Sequence, residues 1–116
     1  MAMNTDGSEI MKEKQILVCI KEPGKEAVIE PLFDNTLEAF QKAVGGYIET
    51  LTVTEDLVLI FNEEGRLRGL PFNEVILGEP FVGTVIASGV KRDEFASVKG
   101  SCVSAVLKML NGGCVR

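Results

Sequence analysis

Residues 47–65 read YIETLTVTEDLVLIFNEEG, a complete hairpin signal followed by a second turn. Tyr47 to Val53 is rich in β-formers and reads as a strand. Glu55-Asp56 reverses the chain. Leu57-Val58-Leu59-Ile60-Phe61 is apolar at every position, hence on both faces, and predicts the central, most buried strand. Asn62-Glu63-Glu64-Gly65 then places asparagine at i and glycine at i+3 of a turn.

Upstream, Gln15 to Ile20 is a first short β-rich run, and Glu22-Pro23-Gly24-Lys25 suits a type II turn. Ala27 to Leu32 is the second strand. Pro31 inside it has no N–H to donate, which predicts a sheet edge. Asn35, with Glu38 three residues on, predicts a capped helix start. Leu37, Phe40 and Val44 form its apolar stripe with Ala43 beside it, and Gly45-Gly46 ends it. Downstream, Arg66 to Gly78 reads as irregular, broken at Gly69-Leu70-Pro71. Phe81 to Ser88 is a fifth strand, with Gly83 marking a bulge or a close backbone approach. Gly89 to Lys99 reads as a charged loop around Phe95. Val103, Val106, Leu107 and Leu110 predict a last helix, opened by Ser101 and stopped by Asn111-Gly112-Gly113.

The order predicts an α+β fold. It has a mostly antiparallel sheet of about five strands, one helix after strand two and a C-terminal helix, with the helices on one face. A length of 116 residues fits a single domain over 14–116, and residues 1–13 read as a flexible extension or leader. The first ten residues lack the charged start and apolar stretch of a secretory signal, and no apolar run is long enough to cross a bilayer, so a cytoplasmic protein is expected.

The sequence contains no histidine. This excludes a serine–histidine triad, a cysteine–histidine pair and any histidine metal ligand. Cys19, Cys102 and Cys114 have no C-x-x-C spacing and are expected to be reduced. No metal, cofactor or catalytic residue is expected. Residues 1–86 carry 7 basic and 15 acidic side chains, and residues 87–116 carry 5 basic and 2 acidic. An acidic body repels a nucleic-acid backbone, so general nucleic-acid binding is not expected. The plain reading is an acidic surface with a slightly basic tail; alternatively, the tail meets the acidic body of a second copy or an anionic ligand. The last helix packs either on its own sheet or on another copy, as a homodimer.

Candidate contact residues cluster around the turns. Glu63 and Glu64 can bind a cation or act as an acid–base pair, although adjacent side chains usually diverge and a plain hairpin turn explains them as well. Arg66 and Arg68 fit surface ion pairs or, alternatively, fork-like recognition of phosphate or carboxylate. Tyr47, after two glycines, offers a stacking surface. Asn62 and Asn73 complete the set.

The segments Ile16-Leu17-Val18, Glu22-Pro23-Gly24-Lys25, Asn35-Thr36-Leu37-Glu38-Ala39 and Val44-Gly45-Gly46-Tyr47-Ile48-Glu49 form an ordered series. Leu57-Val58-Leu59-Ile60, Asn62-Glu63-Glu64-Gly65, Leu70-Pro71, Asn73 and Val82-Gly83-Thr84 continue it. Together they resemble the family called domain of unknown function 3846, over about residues 14 to 98. The resemblance implies a small protein of phages, plasmids or conjugative elements of Gram-positive bacteria. It brings no established activity and no catalytic residue. Glu74 stands after Asn73 where the family usually has a basic residue, and the helix with Cys102 and Cys114 replaces an acidic tail.

The leading expectation is therefore a non-catalytic binding protein of a mobile element, possessing no membrane segment. It would counter defence or modulate the host by holding a host protein or a small anionic molecule. An acidic DNA mimic that blocks a restriction or CRISPR protein is the second reading. A carboxylate-dependent hydrolase using Glu63 and Glu64 is the third.

Overall fold

The computed structural model describes residues 13–113. The expected leader falls almost wholly, and Cys114 wholly, outside the described residues. The chain runs β1 (Gln15–Lys21), β2 (Val28–Asp34), α1 (Leu37–Val44), β3 (Ile48–Thr54) and β4 (Leu57–Asn62). It continues through β5 (Phe72–Ile76), β6 (Glu79–Val82), β7 (Val85–Lys91), β8 (Glu94–Ala96), a 3-10 turn (Gly100–Cys102) and α2 (Val103–Leu110).

Every strand pair is antiparallel. The main sheet has the order β2-β1-β7-β4-β3, with β8 paired to the far end of β7, while β5 and β6 form a separate two-stranded sheet. Pro31 lies on the edge strand β2, as its missing donor requires. The turn after β1 closes through Lys25 N–H to Glu22 C=O at 3.1 Å, with Gly24 at φ +78°. The most interior strand is β7 rather than β4. It bonds to β1, β4 and β8, and Val85 to Gly89 are all buried.

The two helices lie on opposite faces of the main sheet, not on one. Ile16, Val18, Val58, Ile60 and Ile86 point to the face covered by Phe40 and Val44 of α1. Cys19, Leu59, Val85 and Ala87 point to the other face, under Val106, Met109 and Leu110 of α2 and under Ile76 and Phe81 of the small hairpin. Each valine, isoleucine, leucine, phenylalanine or methionine among them contributes about 1.5–3 kcal/mol when fully buried. A strand apolar on both sides needs cover on both sides, and the expectation of one covered face overlooked this. The apolar face of α2 thus packs on its own sheet, the first of the two roles expected for it.

The first helix starts one residue later than expected. Thr36 is the N-cap, its hydroxyl accepting from Ala39 N–H at 3.1 Å. Asn35 is buried, and its amide donates to the Glu13 and Phe95 carbonyls at 3.0 Å each. Leu37 is 58% exposed. At the first helical position Cβ tilts toward the N-terminus, so the side chain projects past the helix end rather than onto the sheet. Gly45 ends α1 at φ +81° as expected, its N–H bonded to Gln41 C=O.

Two hairpins occupy segments read as irregular. Leu77-Gly78 joins β5 to β6, and Arg92-Asp93 joins β7 to β8, with all four residues at positive φ. Both are left-handed turns without the usual Asn-Gly signature. Phe95 on β8 packs edge-on to Phe40, ring centroids 4.9 Å apart, and Phe40 meets Phe33 at 4.8 Å. After β8, Val98 N–H reaches Leu17 C=O and Leu17 N–H reaches the Ser97 hydroxyl, each at 2.9 Å. A side chain at Gly89 would overlap the Ser97 carbonyl. The expected fifth strand is split at Gly83 (φ +72°), where a Cβ would stand 2.8 Å from Leu70 Cδ1. Among the described residues no helix is long and apolar enough to cross a membrane.

Candidate functional site

The turn that ends β4 is built around Asn62. This side chain is 5% exposed. Its Oδ1 accepts from Glu64 N–H at 2.7 Å and its Nδ2 donates to Val44 C=O, the last carbonyl of α1, at 3.1 Å. Gly65 N–H reaches Asn62 C=O at 3.3 Å, and Glu63 N–H reaches Tyr47 C=O at 2.9 Å. Gly46 leaves the room: a Cβ there would lie 2.8 Å from Asn62 Nδ2. Asn62 therefore ties helix end and turn together, and Glu63 and Glu64 project into solvent from a fixed backbone.

Both arginines act on backbone. Arg66 Nη2 donates to Pro80 C=O at 2.6 Å, and Arg68 Nη1 donates to Gly45 C=O at 3.1 Å. The first staples the turn to β6, the second staples the following loop to the end of α1. Asn73 is buried at 5% exposure and acts likewise. Its Nδ2 donates to Lys21 C=O at 2.8 Å and Gly83 C=O at 2.7 Å, and its Oδ1 accepts from Lys21 Nζ at 3.1 Å. It fixes the small hairpin to the end of β1. Tyr47 is 69% exposed.

Four of the seven candidate residues, Asn62, Glu63, Glu64 and Arg66, line one cleft of about 400 Å³. Arg68, Asn73 and Tyr47 do not belong to its lining. The cleft lies over β3 and β4, with the β6 segment Glu79–Val82 as its opposite wall. Phe61 and Phe81 meet in its base, edge to face with centroids 5.1 Å apart. Glu49, Leu51 and Glu79 also line it and are not among the seven candidates. The period-2 alternation Glu49-Leu51-Val53 was the available signal for β3. Glu79 carried none, because its hairpin was not recognised.

Four carboxylates and one arginine therefore surround the cleft. Their potential favours a cation, with an effect that added salt screens over about 10 Å. Among the described residues no three acids or cysteines converge in a metal-holding geometry. Burial pushes the Cys19 thiol up to about 11, so it is almost wholly protonated at neutral pH and a poor nucleophile. Asp56 is held below its usual value chiefly by its hydrogen bond with Lys99, then by Thr54. The Lys99–Asp56 pair, at 2.9 Å, sits beside a second groove of about 890 Å³, formed by the β3–β4 turn, β5 and α2. Val53, Leu57, Val106 and Met109 help to line it, and it contains none of the seven candidates.

The family profile described as Domain of unknown function (DUF3846) matches residues 14–111. The chain therefore belongs to that family, and the match runs on through α2, beyond the segments that carried the resemblance. No curated protein and no solved structure matches it.

Proposed function

We propose that this member of the family is a non-catalytic binding protein that acts by occupancy, and that the cleft over β3 and β4 receives a cationic segment of a partner protein. One observation carries the reading. The two arginines, for which surface ion pairs or alternatively anion recognition were open, are bonded to the Pro80 and Gly45 carbonyls, while Glu49, Glu63, Glu64 and Glu79 line the cleft. This charge arrangement supports a cationic ligand over a small anion. The mobile-element setting rests on the resemblance, and within it the partner is a host protein.

Backbone amide NMR tests the proposal by titrating hexalysine and, separately, inorganic phosphate. Hexalysine is expected to shift the amides of Glu49, Leu51, Glu63 to Leu67 and Glu79 to Val82, and phosphate to leave them unmoved. Phosphate binding at Arg66 and Arg68 would overturn the choice of ligand. Turnover of a substrate that is lost in Glu63→Gln or Glu64→Gln would overturn the absence of catalysis.

A further inference from the structure

We infer that the free edge of β3 accepts an extended, basic segment of a partner protein as an added strand. This rests on the reading of the cleft and names how the partner is held.

The backbone supplies the first observation. β3 ends the main sheet on one side. Glu63 N–H bonded to Tyr47 C=O sets the phase of the β3–β4 ladder, in which residue numbers of partners fall in the fixed register Ile48↔Asn62, Thr50↔Ile60 and Thr52↔Val58. Hydrogen-bonded and non-hydrogen-bonded pairs alternate. Glu49 and Leu51 therefore face β4 with their backbone groups, and Ile48, Thr50 and Thr52 turn theirs outward. No backbone partner beyond β3 is found for these three among the described residues.

The contrast between the two edges is the second observation. β2 carries Pro31, and its register with β1 shifts between Ile16 and Val18. Both features discourage a further strand. β3 reads Ile-Glu-Thr-Leu-Thr-Val-Thr, with no proline, no lysine and an irregularity only at its end, between Thr52 and Thr54. Its outward residues include β-branched threonines, which suit a half-exposed strand.

Charge selects the occupant. A strand added beside β3 lies about 4.8 Å away, and every second side chain falls on the face that carries Glu49 and Leu51. That face opens into the cleft with Glu63, Glu64 and Glu79. Lysine or arginine at alternate positions complements it. A second copy's β3 has Glu49 as its only charged side chain and supplies no lysine or arginine to the acidic face, so self-pairing gains no opposite charge there. Main-chain bonds supply affinity and the alternate side chains supply choice, as in other cases of strand addition.

The probes are three synthetic peptides. One alternates lysine and valine. One has the same composition with all lysines first. One repeats the alternating sequence with N-methyl groups on every amide, which removes the donors of both edges and keeps the charge. Binding is measured by calorimetry, and hydrogen exchange is followed at Ile48, Thr50 and Thr52. The alternating peptide is expected to bind at least about tenfold more tightly than the other two and to slow exchange at these three amides. Thr50→Pro should weaken it similarly with unfolding unchanged, because the lost N–H has no partner in the free protein.

Equal affinity for the alternating and N-methylated peptides would overturn strand addition and leave the cation-binding cleft standing. Failure of all three peptides to bind would overturn both. Protection of the same amides by the protein alone, rising with its concentration together with dimer formation, would show that a second copy takes the edge and would overturn the choice of partner.

Discussion

Replacing Asn73 by alanine isolates what holds the small hairpin, and with it the far wall of the cleft, on the main sheet. The Asn73 side chain makes three hydrogen bonds at 2.7, 2.8 and 3.1 Å and is nearly fully buried. Asn73→Ala strips the donors from Lys21 C=O and Gly83 C=O and leaves the Lys21 ammonium with Glu22 C=O at 3.2 Å. An unsatisfied buried acceptor costs about 1–3 kcal/mol, and a hydrogen bond to a charged group contributes about 1.5–3 kcal/mol. Water entering at the hairpin edge recovers part of this, so a loss of about 3 kcal/mol is expected, or a fall in Tm on the order of 12–15 °C. With no tryptophan in the sequence, urea unfolding is followed by far-ultraviolet circular dichroism. Glu63→Ala, at an exposed turn position, serves as the control and should change stability by less than about 0.5 kcal/mol. A loss below about 1 kcal/mol for Asn73→Ala would refute the bracket, since that is the size of one ordinary hydrogen bond.

Gly89→Ala should cost about 1–3 kcal/mol by overpacking and should speed hydrogen exchange at Val98, whose N–H bonds to Leu17 C=O beside the displaced Ser97; unchanged exchange contradicts the close approach. Alkylation at about pH 8 with mass mapping should label the exposed Cys102 in the native protein and Cys19 only after unfolding, because a thiol raised to about 11 by burial is neither charged nor accessible. Labelling of native Cys19 at the Cys102 rate would disprove this. The Asp56 carboxyl, followed by carbon NMR, should titrate below 3.8 and move up in Lys99→Met. The lowered carboxyl favours the folded state above its unfolded value near 3.8, and this contribution disappears as pH falls through the folded value. A midpoint that ignores Lys99→Met would show that the pair does not form in solution.

Much of the fold is legible in the sequence because local chemistry and tertiary packing agree. Leu57 to Phe61 is apolar on both faces and is buried on both; Pro31 marks an edge; Gly45 marks a helix end. The misreadings arise where tertiary contacts override a local signal. Asn35 is a good cap by type, but its amide bonds to the distant Phe95 carbonyl, so Thr36 caps instead. Leu77 and Arg92 adopt left-handed φ that is usually left to asparagine or glycine, which hides both hairpins. At the site, residue type identified polar side chains without their partners. Asn62, Asn73, Arg66 and Arg68 bond to backbone carbonyls up to tens of residues away in sequence. Glu49 and Glu79 join the cleft only through the sheet register and an unrecognised hairpin.

The most direct test of occupancy by a cation is calorimetric titration of hexalysine into the protein and into the triple variant Glu49→Gln, Glu63→Gln, Glu64→Gln. All three side chains are exposed, so the variant should unfold as the parent does. Binding to the parent that falls at least about tenfold in the variant, and weakens with added salt, is the predicted result. Equal affinity for the two proteins, or no binding to either, would contradict it.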